Sequence, residues 1–86
     1  MYEIEFSRKA SKFLTSLLED DFQAIDKKLQ LLKDNPYRRD LDICKLAGRK
    51  DSYRLRIGKF RILYTILKEK ILIYVFDAGY RGGVYK

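Results

Sequence analysis

Residues 53–67 read Tyr53-Arg54-Leu55-Arg56-Ile57-Gly58-Lys59-Phe60-Arg61-Ile62-Leu63-Tyr64-Thr65-Ile66-Leu67, and this stretch decides the fold. Two runs of strand-forming residues flank a Gly-Lys dipeptide, the pattern of a β-hairpin. Alternate side chains of a strand leave on opposite sides, so Tyr53, Leu55 and Ile57 point one way and Arg54 and Arg56 the other. Glycine at the first central position suits a type II′ turn, whose twist matches that of the strands. That turn sets Ile57 beside Phe60 and Arg56 directly opposite Arg61. Facing arginines repel by a few tenths to about 1 kcal/mol, and an anion bound between them would offset the repulsion.

Downstream, Ile71 to Asp77 completes a three-strand meander through a tight turn around Glu69-Lys70. If those two residues form the turn, Lys68 pairs with Ile71, and counting back places Arg61 beside Ala78, with Arg81 close by. Upstream, Ala47 to Asp51 is a turn containing Gly48, Ile43 to Leu46 a short strand, and Tyr37 to Asp42 a charged connector. At the N-terminus, Tyr2, Ile4 and Phe6 alternate with Glu3 and Glu5, which predicts a first strand with one buried face. Ser7 is placed to cap a helix carrying Ala10, Phe13, Leu14, Leu17 and Leu18 at three-and-four spacing. Asp20 and Gln23 have the spacing of a capping box, and Phe22, Ile25, Leu29 and Leu32 continue an apolar stripe that Pro36 ends. Lys27, Lys28 and Lys33 read as a solvated face. The expected fold is α+β, in the order β-α-α-β-β-β-β: a helical hairpin packed on a mostly antiparallel sheet that ends in the meander.

The chain has 86 residues, of which 47% are hydrophobic, including seven Tyr and five Phe. That suffices for one core, so residues 1–86 are expected to form a single domain. Its formal charge of +7 and pI near 9.6 produce a field that attracts polyanions. With no histidine and one cysteine, Cys44, the chain lacks the groups for Ser-His-Asp, Cys-His or His-based zinc chemistry and for an internal disulfide. No metal or cofactor is expected, and Cys44 reads as a small apolar strand residue in a reducing compartment. Neither a signal peptide nor a membrane-spanning run is present, so a cytoplasmic protein without a membrane partner is expected.

Any single arginine of the hairpin would read as a solvated residue on an open sheet face. The group points further, because Arg54, Arg56, Arg61 and Arg81 are expected on one side. Arginine favours planar, bidentate contact with phosphate oxygens. Tyr85, which follows Gly82-Gly83, either plugs the core edge or serves such a site by stacking on a base or donating its hydroxyl.

The block 53–64, together with Lys45-Leu46-Ala47-Gly48 and the ending Gly79-Tyr80-Arg81 through Val84-Tyr85, resembles the RelE/ParE superfamily of bacterial and archaeal toxins over nearly the whole length. The arginine after the last strand and the late tyrosine are similar to the RelE branch. The resemblance implies a ribosome-dependent endoribonuclease that cuts mRNA in the decoding site without metal, by attack of the messenger's 2′-hydroxyl on the adjacent phosphate. It also implies a cognate antitoxin; the basic charge calls for an acidic one, partly disordered when free. Carried over by motif, Arg61 looks like the arginine that stabilises the transition-state phosphate, Arg81 like the one that protonates the leaving oxygen, and Tyr85 like the aromatic that stacks on the nucleotide. Arg54 and Arg56 match the family's two basic positions on the third strand; Arg56 is expected to be catalytic, and Arg54 and the turn residue Lys59 to bind RNA.

RelE-type members carry lysines where this chain has Arg54 and Arg56, one of them proposed as the general base. A guanidinium, with a pKa above about 12, is a poor base at neutral pH. Two alternatives remain: either Arg56 stabilises charge while the 2′-hydroxyl gives its proton to water or ribosomal RNA, or activity falls below the family norm. Two other functions fit the same basic surface, a ParE-like inhibitor of DNA gyrase and a non-catalytic module that binds nucleic acid or antitoxin.

Overall fold

A computed structural model describes residues 1–81. The chain runs β1 (Glu3–Phe6), α1 (Arg8–Thr15), α2 (Glu19–Asp34), β2 (Ile43–Lys45), β3 (Ser52–Ile57), β4 (Phe60–Leu67) and β5 (Leu72–Tyr80), with a 3-10 turn at Lys68–Lys70 before β5. The five strands lie in the order β1-β5-β4-β3-β2. Among the described residues only the β1–β5 pair is parallel. The helical hairpin carries the chain from one edge of the sheet to the other, and the meander then fills the middle.

Ser7 starts α1, as its sequence position predicts. Its Oγ accepts from the Ala10 N–H at 3.1 Å and donates to the Phe76 carbonyl of β5 at 2.9 Å. One hydroxyl therefore caps a helix and ties it to the sheet. The expected capping box at Asp20 and Gln23 does not form. The helix begins earlier, after Leu18, so Asp20 lies inside the first turn and cannot cap it, and Gln23 Nε2 instead donates to Glu19 Oε2 at 2.6 Å. Glu19, Asp20 and Asp21 together complement the positive end of the helix dipole. Because α1 ends at Thr15, Leu18 falls in the interhelical link and is exposed rather than part of the apolar stripe. Asn35 closes α2 and buried Pro36 follows, as expected. In the connector, Arg38 grips Asp40 through two hydrogen bonds of 2.6 and 2.8 Å. That guanidinium holds the Asp40 carboxyl down to about 2.

Leu55, Ile57, Phe60, Ile62, Tyr64, Ile66, Ile73 and Val75 from the sheet meet Ala10, Leu14, Ile25, Leu29 and Leu32 from the helices in one core. Every sheet residue in that group follows strand parity within its own strand.

The β3–β4 register agrees with the sequence: Ile57 pairs with Phe60 and Arg56 with Arg61. Gly58 has φ +56° while Lys59 stays at negative φ, the signature of the expected II′ turn. The β4–β5 register differs by one residue at its far end. Leu67 pairs with Leu72 and Tyr64 with Val75, which continues the count set by the predicted turn, but Leu63 pairs with Asp77 and Arg61 with Gly79 rather than Ala78. A β-bulge between Leu63 and Tyr64 inserts one extra β5 residue. The strand also runs past Asp77 to Tyr80. Among the described residues no helix is long and apolar enough to cross a membrane.

Candidate functional site

The side of the sheet away from the helices carries the basic residues. Arg54, Arg56 and Arg61 share it because paired residues of an antiparallel ladder lie on the same side and the core residues alternate with them. With Ala78 across from Arg61, Arg81 would have had the opposite parity; the bulge puts Gly79 there instead and brings Arg81, two residues on, to the arginine side. Glycine has no side chain, so the strand opposite Arg61 leaves it room. Ser7 holds this irregularity, since its N–H donates to Val75 O at 2.8 Å and its hydroxyl to Phe76 O at 2.9 Å.

Arg81 is fixed at the end of the hairpin. Its N–H donates to Lys59 O at 3.0 Å and its Nη1 to Gly58 O at 3.3 Å. An open cleft of about 550 Å³ lies between Lys59, Arg61, Tyr80 and Arg81. Its one aromatic lining residue, Tyr80, packs on Phe13 and Phe60 at centroid distances of 5.4 Å each. Three cations and one exposed ring around an open cleft suit an anion attached to a flat ring, which is the make-up of a nucleotide.

Arg61 differs from the solvated residue that an open face predicts, being only 4% exposed. Burial restricts its rotamers and fixes where its donors point. Arg54 and Arg56 are half-buried. Arg56 is also not alone, because its Nε lies 3.3 Å from Asp42 Oδ2 and its N–H donates to Asp42 O at 3.0 Å. Asp42, which the sequence placed in the connector, thus offsets part of the repulsion between Arg56 and Arg61. Cys44 occupies the predicted strand but is exposed, directly across from Arg54. Tyr85 lies outside the described residues.

Two further features had no signal in the sequence. Tyr80 enters the cleft only because β5 runs beyond Asp77. Arg49, in the turn after Gly48, reaches across the sheet to set its Cζ 4.0 Å above the Phe76 ring. Among the described residues no three His, Cys, Asp or Glu side chains converge as a metal-binding group.

A family profile described as ParE toxin of type II toxin-antitoxin system, parDE, matches residues 4–85. The chain belongs to the RelE/ParE superfamily of toxins. This RelE-like toxin is 31% identical over 86 residues to RelE1 of Methanocaldococcus jannaschii, a match covering 99% of this chain and 96% of that protein. It is 34% identical over 82 residues to a RelE-like protein of Escherichia coli, covering 93% and 83% respectively. Among solved structures, archaeal RelE in the RelE–RelB complex of Pyrococcus horikoshii matches the toxin with a TM-score of 0.82 at 26% identity, over 95% of this chain and 97% of that one. The helical hairpin on a five-stranded, mostly antiparallel sheet is therefore the RelE fold.

Proposed function

We propose that this RelE-like toxin is an endoribonuclease that cuts mRNA in the ribosomal decoding site. The observation that carries the reading is the cleft shared by Arg61 and Arg81, with Arg56 paired across from Arg61, Arg61 buried and Arg81 anchored to the hairpin backbone. In this reaction the 2′-hydroxyl oxygen bonds to the adjacent phosphorus, the bond to the 5′-oxygen breaks, and the products are a 2′,3′-cyclic phosphate and a free 5′-hydroxyl. Fixed cations lower the barrier because the phosphorane carries more negative charge than the diester. Arg61 offers paired N–H donors to its equatorial oxygens. Arg81, at the mouth of the cleft, donates to the departing 5′-oxygen. Arg56 steadies the attacking side as a cation, and the 2′-hydroxyl proton passes to water or to ribosomal RNA. Arg54 and Lys59 hold flanking phosphates, while Tyr85 stacks on the nucleotide.

Primer extension on a defined mRNA in a reconstituted translation system tests this. New stops at the decoding-site codon are expected with the wild-type protein, and Arg61→Ala and Arg81→Ala are expected to weaken them by about 100-fold or more each. Undiminished cutting by both variants would remove the arginines from the chemistry. The profile match to ParE toxins favours one alternative, inhibition of DNA gyrase. Loss of supercoiling by purified gyrase, with an unchanged primer-extension pattern, would support it.

The partner in this reading is a cognate antitoxin, as the P. horikoshii relative is solved with RelB. With a formal charge of +7 on the toxin, acidic residues on the antitoxin supply complementarity and a segment ordered on binding covers the arginine side.

A further inference from the structure

We propose that Arg49 is an additional phosphate-binding residue, held in place by Phe76, which grips single-stranded RNA beside the cleft; the substrate class rests on the endoribonuclease reading above. Strand parity places Phe76 on the arginine side, since Ile73 and Val75 enter the core and Leu72, Tyr74 and Phe76 alternate with them. The guanidinium carbon of Arg49 lies 4.0 Å from the centroid of that ring. Contact with a ring uses the face of a guanidinium and leaves its N–H groups in the plane unspent. Among the described residues Arg49 makes no hydrogen bond or ion pair, and its side chain is exposed.

Three ion-paired cations provide the contrast, and two lysines a looser parallel, since Lys59 lies 5.6 Å from the Phe60 ring centroid and Lys68 5.8 Å from that of Tyr37, against 4.0 Å for Arg49. Arg38 is matched to Asp40, Arg56 to Asp42 and Lys9 to Asp77. Arg49 is positioned by an uncharged ring, so it is ordered without being neutralised, the arrangement that favours capture of an incoming anion. Its loop is closed at the base, where Leu46 N–H donates to Ser52 O and Ile66 N–H to Asp51 O, both at 2.9 Å. Gly48, at φ +79°, turns the chain just before Arg49. Phe76 stands at the bulge, beside the Leu63–Tyr64 step of β4. Leu63 follows Arg61 by two residues on the same side, roughly 7 Å along the strand. One RNA strand can therefore meet Arg61 and Arg49 in succession.

The probe is a fluorescently labelled single-stranded RNA oligonucleotide, with anisotropy followed across a salt series. Arg49→Ala is expected to weaken binding about tenfold and to reduce the slope of log affinity against log salt by about one. Phe76→Leu keeps the cation but removes the ring and is expected to reproduce most of that loss. The double variant should bind no worse than Arg49→Ala alone, because the ring acts through Arg49. Thermal unfolding of each variant separates loss of fold from loss of contact. Wild-type affinity in Arg49→Ala, additive losses in the double variant, or no RNA binding by the wild type would each overturn the proposal. Cleavage is scored separately by primer extension. Loss of cutting in Arg61→Ala with full RNA binding in Arg49→Ala would sink this inference and leave the endoribonuclease reading standing. An Arg49-dependent salt slope in a protein that never cuts would do the reverse.

Discussion

The two sides of the central hairpin are built from the same strands, and only side-chain parity separates them. Toward the helices, β3 and β4 place Leu55, Ile57, Phe60, Ile62, Tyr64 and Ile66 in the core. Away from them, the same strands place Arg54, Arg56 and Arg61. The apolar side contributes stability in proportion to the area it removes from water. The basic side places like charges across from each other and loses some stability for it, which is tolerable because the apolar side carries the fold. Stability and phosphate chemistry are thus separable on this sheet, one residue apart along each strand.

That separation is tested most severely at Ile62, which is 0% exposed and adjacent to Arg61. Ile62→Ala should destabilise the protein by about 2–5 kcal/mol in urea unfolding, the range for emptying a packed core position. The remaining folded fraction should keep its RNA affinity. A fully folded Ile62→Ala with altered RNA binding would show that the two sides are coupled.

A smaller effect is expected at Ser7, which lies on neither side but sets how they meet. Ser7→Ala removes the α1 cap and the hydrogen bond to Phe76 O together. A loss of about 1–2 kcal/mol is expected. Because the bulge orients Arg81, cleavage should fall further than the loss of stability explains. Equal cleavage per folded molecule would mean that the bulge holds itself.

The least costly change is Tyr64→Phe. The Tyr64 hydroxyl is buried without a hydrogen-bond partner among the described residues, so its removal should leave stability unchanged or raise it by about 1 kcal/mol. Burial, helped by nearby Tyr53, pushes the Tyr64 phenol well above its ordinary value. The folded state therefore keeps a proton that the unfolded chain releases above about pH 10. This contribution is fully present below that pH and is lost as pH rises beyond it. Unfolding curves at about pH 8 and pH 11 should show a steeper alkaline loss for wild type than for Tyr64→Phe. Parallel losses in the two proteins would place the alkaline sensitivity elsewhere.

The alternation from Tyr53 to Leu67, broken by Gly58-Lys59, was sufficient to give the hairpin, its turn type and the Arg56–Arg61 pair. Those features depend on local periodicity, which a sequence displays directly. The bulge lies where Ser7 bonds to Phe76, 69 residues away in the sequence, and no local pattern announces it. The same holds for Asp42 against Arg56 and Arg49 over Phe76, where long side chains meet across loops. The burial of Arg61 also escaped the sequence, since an open face at an isolated hairpin says nothing of what surrounds it. Arg54, Arg56 and Arg61 were nevertheless placed on one side of the sheet, because strands keep residue spacing when they fold, whereas Arg81 joins them only through the bulge, which reverses the parity of the expected register.

The bulge at β5 works as a shift of reading frame in three dimensions. Before it, odd-numbered residues such as Ile73 and Val75 face the helices; after it, even-numbered Ala78 does, and Tyr80 stacks on Phe13 and Phe60. Straightening the bulge with every residue kept would restore the earlier frame, set Ala78 across from Arg61 and turn Arg81 toward the helices. Loss of the extra residue itself, Phe76, would instead leave Asp77 across from Leu63 and Gly79 across from Arg61, so the frame that aims Arg81 belongs to the pairing of the strands and not to the length of the chain.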